Sequence, residues 1–100
     1  MAKYRLTNKA VDDLAEIWEY TFDNWSETQA DKYYFILVDS FNEIAGKPQI
    51  GKLYFGIVDN LKGYQVGRHI VFYRVIENNN VEIIRILHER MDLKNRITEK

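Results

Sequence analysis

The spacing of apolar residues changes along the chain, and each change marks an element. Between Lys3 and Thr7, Tyr4 and Leu6 alternate with polar residues, which is the period of a strand. Val11, Leu14, Ala15, Trp18, Phe22 and Trp25 then recur three and four residues apart, with Ile17 widening the stripe. That pattern predicts an amphipathic helix, with Asp12, Asp13, Glu16 and Glu19 mostly off the stripe and Thr7 or Asn8 as its cap. Ser26-Glu27-Thr28-Gln29 has the form of a capping box and opens a second helix. Its buried positions are expected to be Ala30, Tyr33, Tyr34, Leu37, Phe41 and Ile44, with Gly46 as a left-handed stop and Pro48 blocking continuation. Two helices with almost no linker form an antiparallel hairpin. Each has a polar outer side and gains its stability by docking on an apolar surface.

The second half supplies that surface. Lys52 to Asp59 reads as a strand broken by Gly56, and Tyr64 to Ile76 as a strand rich in β-branched and aromatic residues. Asn78-Asn79-Asn80 predicts a hairpin turn, because Asn tolerates positive φ better than most residues. Val81 to His88 returns with apolar side chains on both faces, as a central strand does. The tail from Glu89 to Lys100 is polar, with Met91, Leu93 and Ile97 able to anchor a short helix or arm. The expected class is α+β, in the order β-α-α-β-β-β: a helical hairpin packed on a small antiparallel sheet.

Composition narrows the function. A chain of 100 residues, 46% hydrophobic and 29% charged, is expected to form one globular domain over residues 1–100. With no cysteine, disulfides, thiolate metal sites and a cysteine nucleophile are excluded, which fits a reducing cytoplasm. No apolar leader and no membrane-length apolar run is visible, so a cytoplasmic protein without a membrane partner is expected. Charge is unevenly placed. Residues 1–45 hold four Lys/Arg and nine Asp/Glu, a sum of −5, while residues 46–100 hold ten and six, a sum of +4. The two halves are therefore expected to face different things.

Motifs for phosphate loops, serine hydrolases, zinc proteases and dinucleotides are absent. Two histidines without an acid at ligand spacing make a poor metal site, and no metal or other cofactor is expected. What remains is a cluster on or just beyond the last strands: Arg68, His69, Arg74, Arg85, His88 and Arg90. Arg85 lies in a very apolar strand, so it must reach solvent or pair with an acid, for which Asp92, Glu82 or a helix acid are candidates. A two-residue Asn loop would set Arg74 opposite Arg85; a three-residue loop would set Tyr73 there. The cluster admits three readings: an RNA-cutting surface with His88 as acid or base and arginines on the phosphate, a binding patch without turnover, or ion pairs that hold the tail to the sheet. Among the aromatics, Trp18, Trp25, Tyr33, Tyr34 and Phe41 are expected in the core. Tyr20, Phe35 and Ile36 fall off the stripes and suit a protein partner.

At this point the chain resembles a known family. Arg85-Ile86-Leu87-His88-Glu89-Arg90-Met91-Asp92 resembles the closing signature of ParE-type toxins of the RelE/ParE superfamily, and Arg68-His69-Ile70-Val71-Phe72-Tyr73-Arg74 the strand before it. Leu6-Thr7 with Ala10, Asp13-Leu14, Ile17 and Tyr20 resembles the opening, Gln29-Ala30 with Tyr33 the second helix, and Pro48 with Gly51 the Pro-x-x-Gly break. The resemblance implies the toxin of a type II toxin–antitoxin module, of the plasmid-stabilisation kind. Such a toxin would inhibit DNA gyrase by binding, without specific nucleic-acid binding of its own, and be held in a hetero-oligomer by a ParD-like antitoxin. Arg85, His88, Arg90, Met91 and Asp92 would then form the target-binding surface, and Tyr20, Phe35 and Ile36 the antitoxin-binding one. The RelE-like branch implies instead a ribosome-dependent messenger endoribonuclease, with His88, Arg85, Arg68 and Arg90 as catalytic groups. The Arg-Met-Asp ending and a tail without aromatics after Leu93 resemble the ParE branch. A non-toxic module active only within an antitoxin complex is the third possibility.

Overall fold

The computed structural model describes residues 3–54 and 60–98. Strand β1 (Tyr4–Leu6) leads into helices α1 (Asn8–Asn24) and α2 (Glu27–Gly46), followed by β2 (Lys52–Leu53), β3 (Lys62–Val66), β4 (His69–Val75), β5 (Val81–His88) and the short helix α3 (Leu93–Thr98). Both helix starts follow their caps. The Thr7 hydroxyl accepts the Ala10 amide at 3.1 Å and the Ser26 hydroxyl accepts the Gln29 amide at 3.1 Å. The helical hairpin is as expected. Gly46, however, does not adopt a left-handed conformation; α2 runs through it, Lys47 leaves the helix at φ −147°, and Pro48 prevents a return.

The sheet differs from the expectation in three ways. Its order is β1-β5-β4-β3-β2, and β1 runs parallel to β5, so it is mixed rather than antiparallel. Parallel neighbours need a long crossover, and the helical hairpin begins one here. The stretch Tyr64–Ile76 is two strands. Gly67, at φ +57°, turns the chain back between β3 and β4, and the Tyr33 hydroxyl would lie 2.9 Å from any Cβ there. Last, the turn between β4 and β5 spans residues 76–80, with Asn78 and Asn79 at φ 59° and 60°. A bulge between Phe72 and Tyr73 then places Arg85 opposite Phe72, neither Arg74 nor Tyr73. The strand expected from Lys52 keeps its sheet pairing to Leu53, and residues 55–59 lie outside the described residues.

Both sheet faces are covered. Under the hairpin, Ala10, Leu14, Leu37, Phe41 and Ile44 pack on Val71, Tyr73, Val81, Ile83 and Ile86. On the opposite face, Leu61, Ile70, Phe72 and Leu87 meet Leu93 and Ile97 of the tail, which anchor it as the short helix α3. The Tyr73 hydroxyl donates to the Pro48 carbonyl at 2.6 Å and accepts the Gly51 amide at 2.8 Å. A Cβ at Gly51 would sit 2.7 Å from the Tyr73 ring, which explains the Pro-x-x-Gly break as a cradle for one tyrosine.

The inward face of α1 is turned relative to the sequence reading. Ala10 and Leu14 are buried and Ile17 packs against the core, whereas Val11, Phe22 and Trp25 are exposed, Trp25 at 74%. Tyr34 is also exposed, and Trp18 is half-buried against Phe22 with ring centroids 5.2 Å apart. The stripe is wider than the sheet can cover, and the polar anchoring of Asp13 described below selects which side faces in. Among the described residues, no helix is long and apolar enough to cross a membrane.

Candidate functional site

Beyond Ile83, strand β5 has no strand neighbour on its β1 side among the described residues, and the start of α1 covers that edge. Thr7 donates its hydroxyl to the Ile84 carbonyl at 2.7 Å. Asp13 accepts the Ile86 amide at 3.0 Å, and its two oxygens also take Arg85 Nε at 2.8 Å and Nη2 at 3.0 Å. Arg85 Nη1 donates to the Arg96 carbonyl of α3 at 2.8 Å. A fork-to-fork pair of this kind satisfies both ions where burial would otherwise be costly. The sequence expectation set Arg85 on the acting surface; in the structure it is 7% exposed, its partner is a helix acid, and its guanidinium joins α1, β5 and α3. Asp92 is likewise engaged locally, accepting the Asn95 side chain at 2.7 Å at the start of α3.

Next to this knot, an open groove of about 1020 Å³ runs between α1 and the β3–β4 turn. One wall is α1, with Glu16, Glu19, Tyr20 and Asp23 on a single helical stripe and Trp25 at its end. The other wall carries Arg68, His69, His88 and Met91. The paired strands place His69 opposite His88, their rings edge to face with centroids 5.3 Å apart. Tyr33 of α2 hydrogen-bonds His69 Nδ1 at 2.6 Å, and its hydroxyl also reaches the Val66 carbonyl at 3.2 Å. Burial, with the neighbouring His88 second, pushes His69 down to about 4, so it is neutral at pH 7. Burial also raises the Tyr33 phenol.

His88 Nδ1 accepts the Arg90 amide at 3.1 Å, so in the neutral ring the proton resides on Nε2. Of the four residues expected of an RNA-cutting site, Arg68 and His88 line the groove and Arg90 is exposed, whereas Arg85 is committed to Asp13 and the His88 Nδ1 accepts a backbone amide. No group of three or more metal-ligating side chains occurs among the described residues.

The remaining expected residues divide between two surfaces. Tyr20, 66% exposed, lines the groove with His88 and Met91. Phe35, 62% exposed, lies with Ala15, Trp18, Asp31 and Tyr34 on a separate shallow surface between the helices, where Trp18 Nε1 donates to Asp31 at 3.0 Å. Ile36 and Arg90 are exposed as well. Sequence reasoning did not single out Trp25, Tyr33 or Asp13 as site residues. The signals for Asp13 were the need of Arg85 for an acid, a helix acid among the candidates, and its place in the Asp13-Leu14 pair of the family's opening.

This architecture recurs in solved chains of toxin–antitoxin systems. It matches a chain of the chromosomal ParDE system of P. aeruginosa with TM-score 0.74 at 18% identity, over 88% of this chain and 96% of that one. It also matches a chain of the RelBE2 toxin–antitoxin complex of Mycobacterium tuberculosis with TM-score 0.67 at 19% identity, over 87% and 96%. The family model for the ParE toxin of the type II toxin–antitoxin system parDE matches residues 4–93, and the chain belongs to that family. Toxin ParE1 of M. tuberculosis is 34% identical over 92 residues, spanning 92% of this chain and 94% of that protein. Toxin ParE1 of Caulobacter vibrioides is 36% identical over 94 residues, spanning 94% and 96%.

Proposed function

We propose that this chain is a toxin that acts by binding a large target, DNA gyrase, and is neutralised by a ParD-like antitoxin. Membership of the ParE family supports the target class and the antitoxin. The observation that carries the reading of binding over turnover is the commitment of Arg85 to Asp13, which removes the most central cation from any phosphate-handling site. His88, Arg90 and Met91, with Arg68 on the same wall of the groove as His88, are the part of the closing cluster left to meet a target; Arg85 is committed to Asp13, and Asp92 to Asn95. The antitoxin would cover exposed aromatics of the hairpin, Tyr20 and Phe35 among them.

Expression of the chain alone, followed by trapping of gyrase on DNA, tests this directly. The expected result is growth arrest with protein-linked DNA breaks and an intact message pool. Codon-phased messenger cuts that disappear in a His88→Ala variant would establish the RNA-cutting alternative instead. Absence of any growth effect would identify a non-toxic module.

A further inference from the structure

We infer that the groove is a docking channel for a partner segment bearing basic side chains, and that Glu16, Glu19 and Asp23 of α1 determine which partner is accepted. The inference rests on the antitoxin reading above and names the chemistry of the antitoxin segment that would enter this groove.

Of the ten other described acids, six have a side-chain partner inside the chain. Glu82 holds Arg5 at 3.1 Å and Arg74 at 2.8 Å, and Asp13 holds Arg85. Asp31 accepts Trp18, Glu43 accepts Tyr64, Glu89 accepts Gln65 and Asp92 accepts Asn95. Glu16, Glu19 and Asp23 have no hydrogen bond or ion pair with any described residue, yet they line the same cavity. With Asp13 neutralised by Arg85, the described residues lining the groove include three acids without a described partner against the single cation Arg68. His69, neutral at pH 7, adds nothing to offset them.

Such a wall repels phosphate and attracts ammonium or guanidinium groups. The three carboxylates follow helical spacing over seven residues, so they span about 10 Å along α1. A segment with Lys or Arg recurring over two helical turns would meet all three. Exposed Tyr20, Trp25 and Met91 sit in the same groove and provide apolar contact for the side chains between those cations. Charge then selects the partner, while the aromatics supply affinity.

The test uses the purified full chain and a ParD-like antitoxin that binds it, titrated at about 0.05 and 0.5 M salt. Wild-type binding is expected to weaken as salt rises. The triple variant Glu16→Gln, Glu19→Gln, Asp23→Asn should bind about tenfold more weakly and lose most of that salt dependence. Its charge-reversed form, with Lys at all three positions, should lose roughly a hundredfold and recover when the partner's basic residues are changed to Glu. All three positions are exposed, so the fold should survive, and thermal unfolding checks it. Wild-type affinity in the Lys variant would overturn the inference. If Phe35→Ser weakens binding while the acid variants do not, the antitoxin reading stands and the groove assignment falls. Failure of the wild-type chain to bind any ParD-like antitoxin would remove both.

Discussion

Asp13 and Glu16 stand one helical turn apart on α1, and their chemistry has opposite consequences. Asp13 is buried against the strand edge that β1 leaves unpaired, where its carboxylate takes three donors from β5 and thereby ties α1, β5 and α3 together. Glu16 opens onto the groove with its charge uncompensated. Burial converts the same functional group from a recognition element into a structural one, because an ion withdrawn from water must be paired within the chain. The closing signature shows the same division: Arg85 is internal, whereas His88 and Met91 border the groove a few residues later.

Removing the buried pair should have the largest effect. Arg85→Ala leaves Asp13 buried without its counter-ion, and a loss of about 3–5 kcal/mol is expected in urea unfolding. Tyr73→Phe deletes one donor and one acceptor, at Pro48 and Gly51, and should cost about 1–3 kcal/mol in the same measurement. The corresponding test of the cradle is Gly51→Ala, whose added methyl must displace the Tyr73 ring and should cost about as much as overpacking does, roughly 1–3 kcal/mol.

The pH dependence is smaller and has a definite sign. His69 is held down to about 4 against 6.5 in an unfolded chain, so between those values the unfolded state binds more protons. Stability contributed by the neutral ring is complete above about pH 6.5, is lost progressively as pH falls toward 4, and should be insensitive to pH above that window. Denaturation curves of His69→Gln should show a flatter profile between these limits. The smallest effect on stability is expected from neutralising Glu16, Glu19 and Asp23, within about 0.5 kcal/mol, because these exposed groups have no partner among the described residues.

The hairpin, its Thr7 and Ser26 caps and the Asn turn were legible because each depends on neighbours in sequence, and the anchoring of the tail because Leu93 and Ile97 stand out as apolar residues in a polar stretch. The parallel β1–β5 pairing was not, since nothing local specifies which strand a crossover returns to. Gly67 was hidden inside one long apolar run, and the bulge beside Tyr73 shifted the register beyond what loop length alone allows. The cluster from Arg68 to Arg90 was found as a set, but its sorting into buried and exposed members depended on that register. The α1 stripe offered more apolar residues than one sheet face can cover, and the position of Asp13 against β5 decided that Trp25 would face the groove.

The most direct test of this division is a double-mutant cycle on Asp13→Asn and Arg85→Met, read by urea unfolding. If the pair is the structural tie described here, each single change should be severe and the double change should cost less than their sum by about 2 kcal/mol. Additivity within about 0.5 kcal/mol would mean that the two side chains do not depend on each other, and would contradict the assignment of Arg85 to the fold.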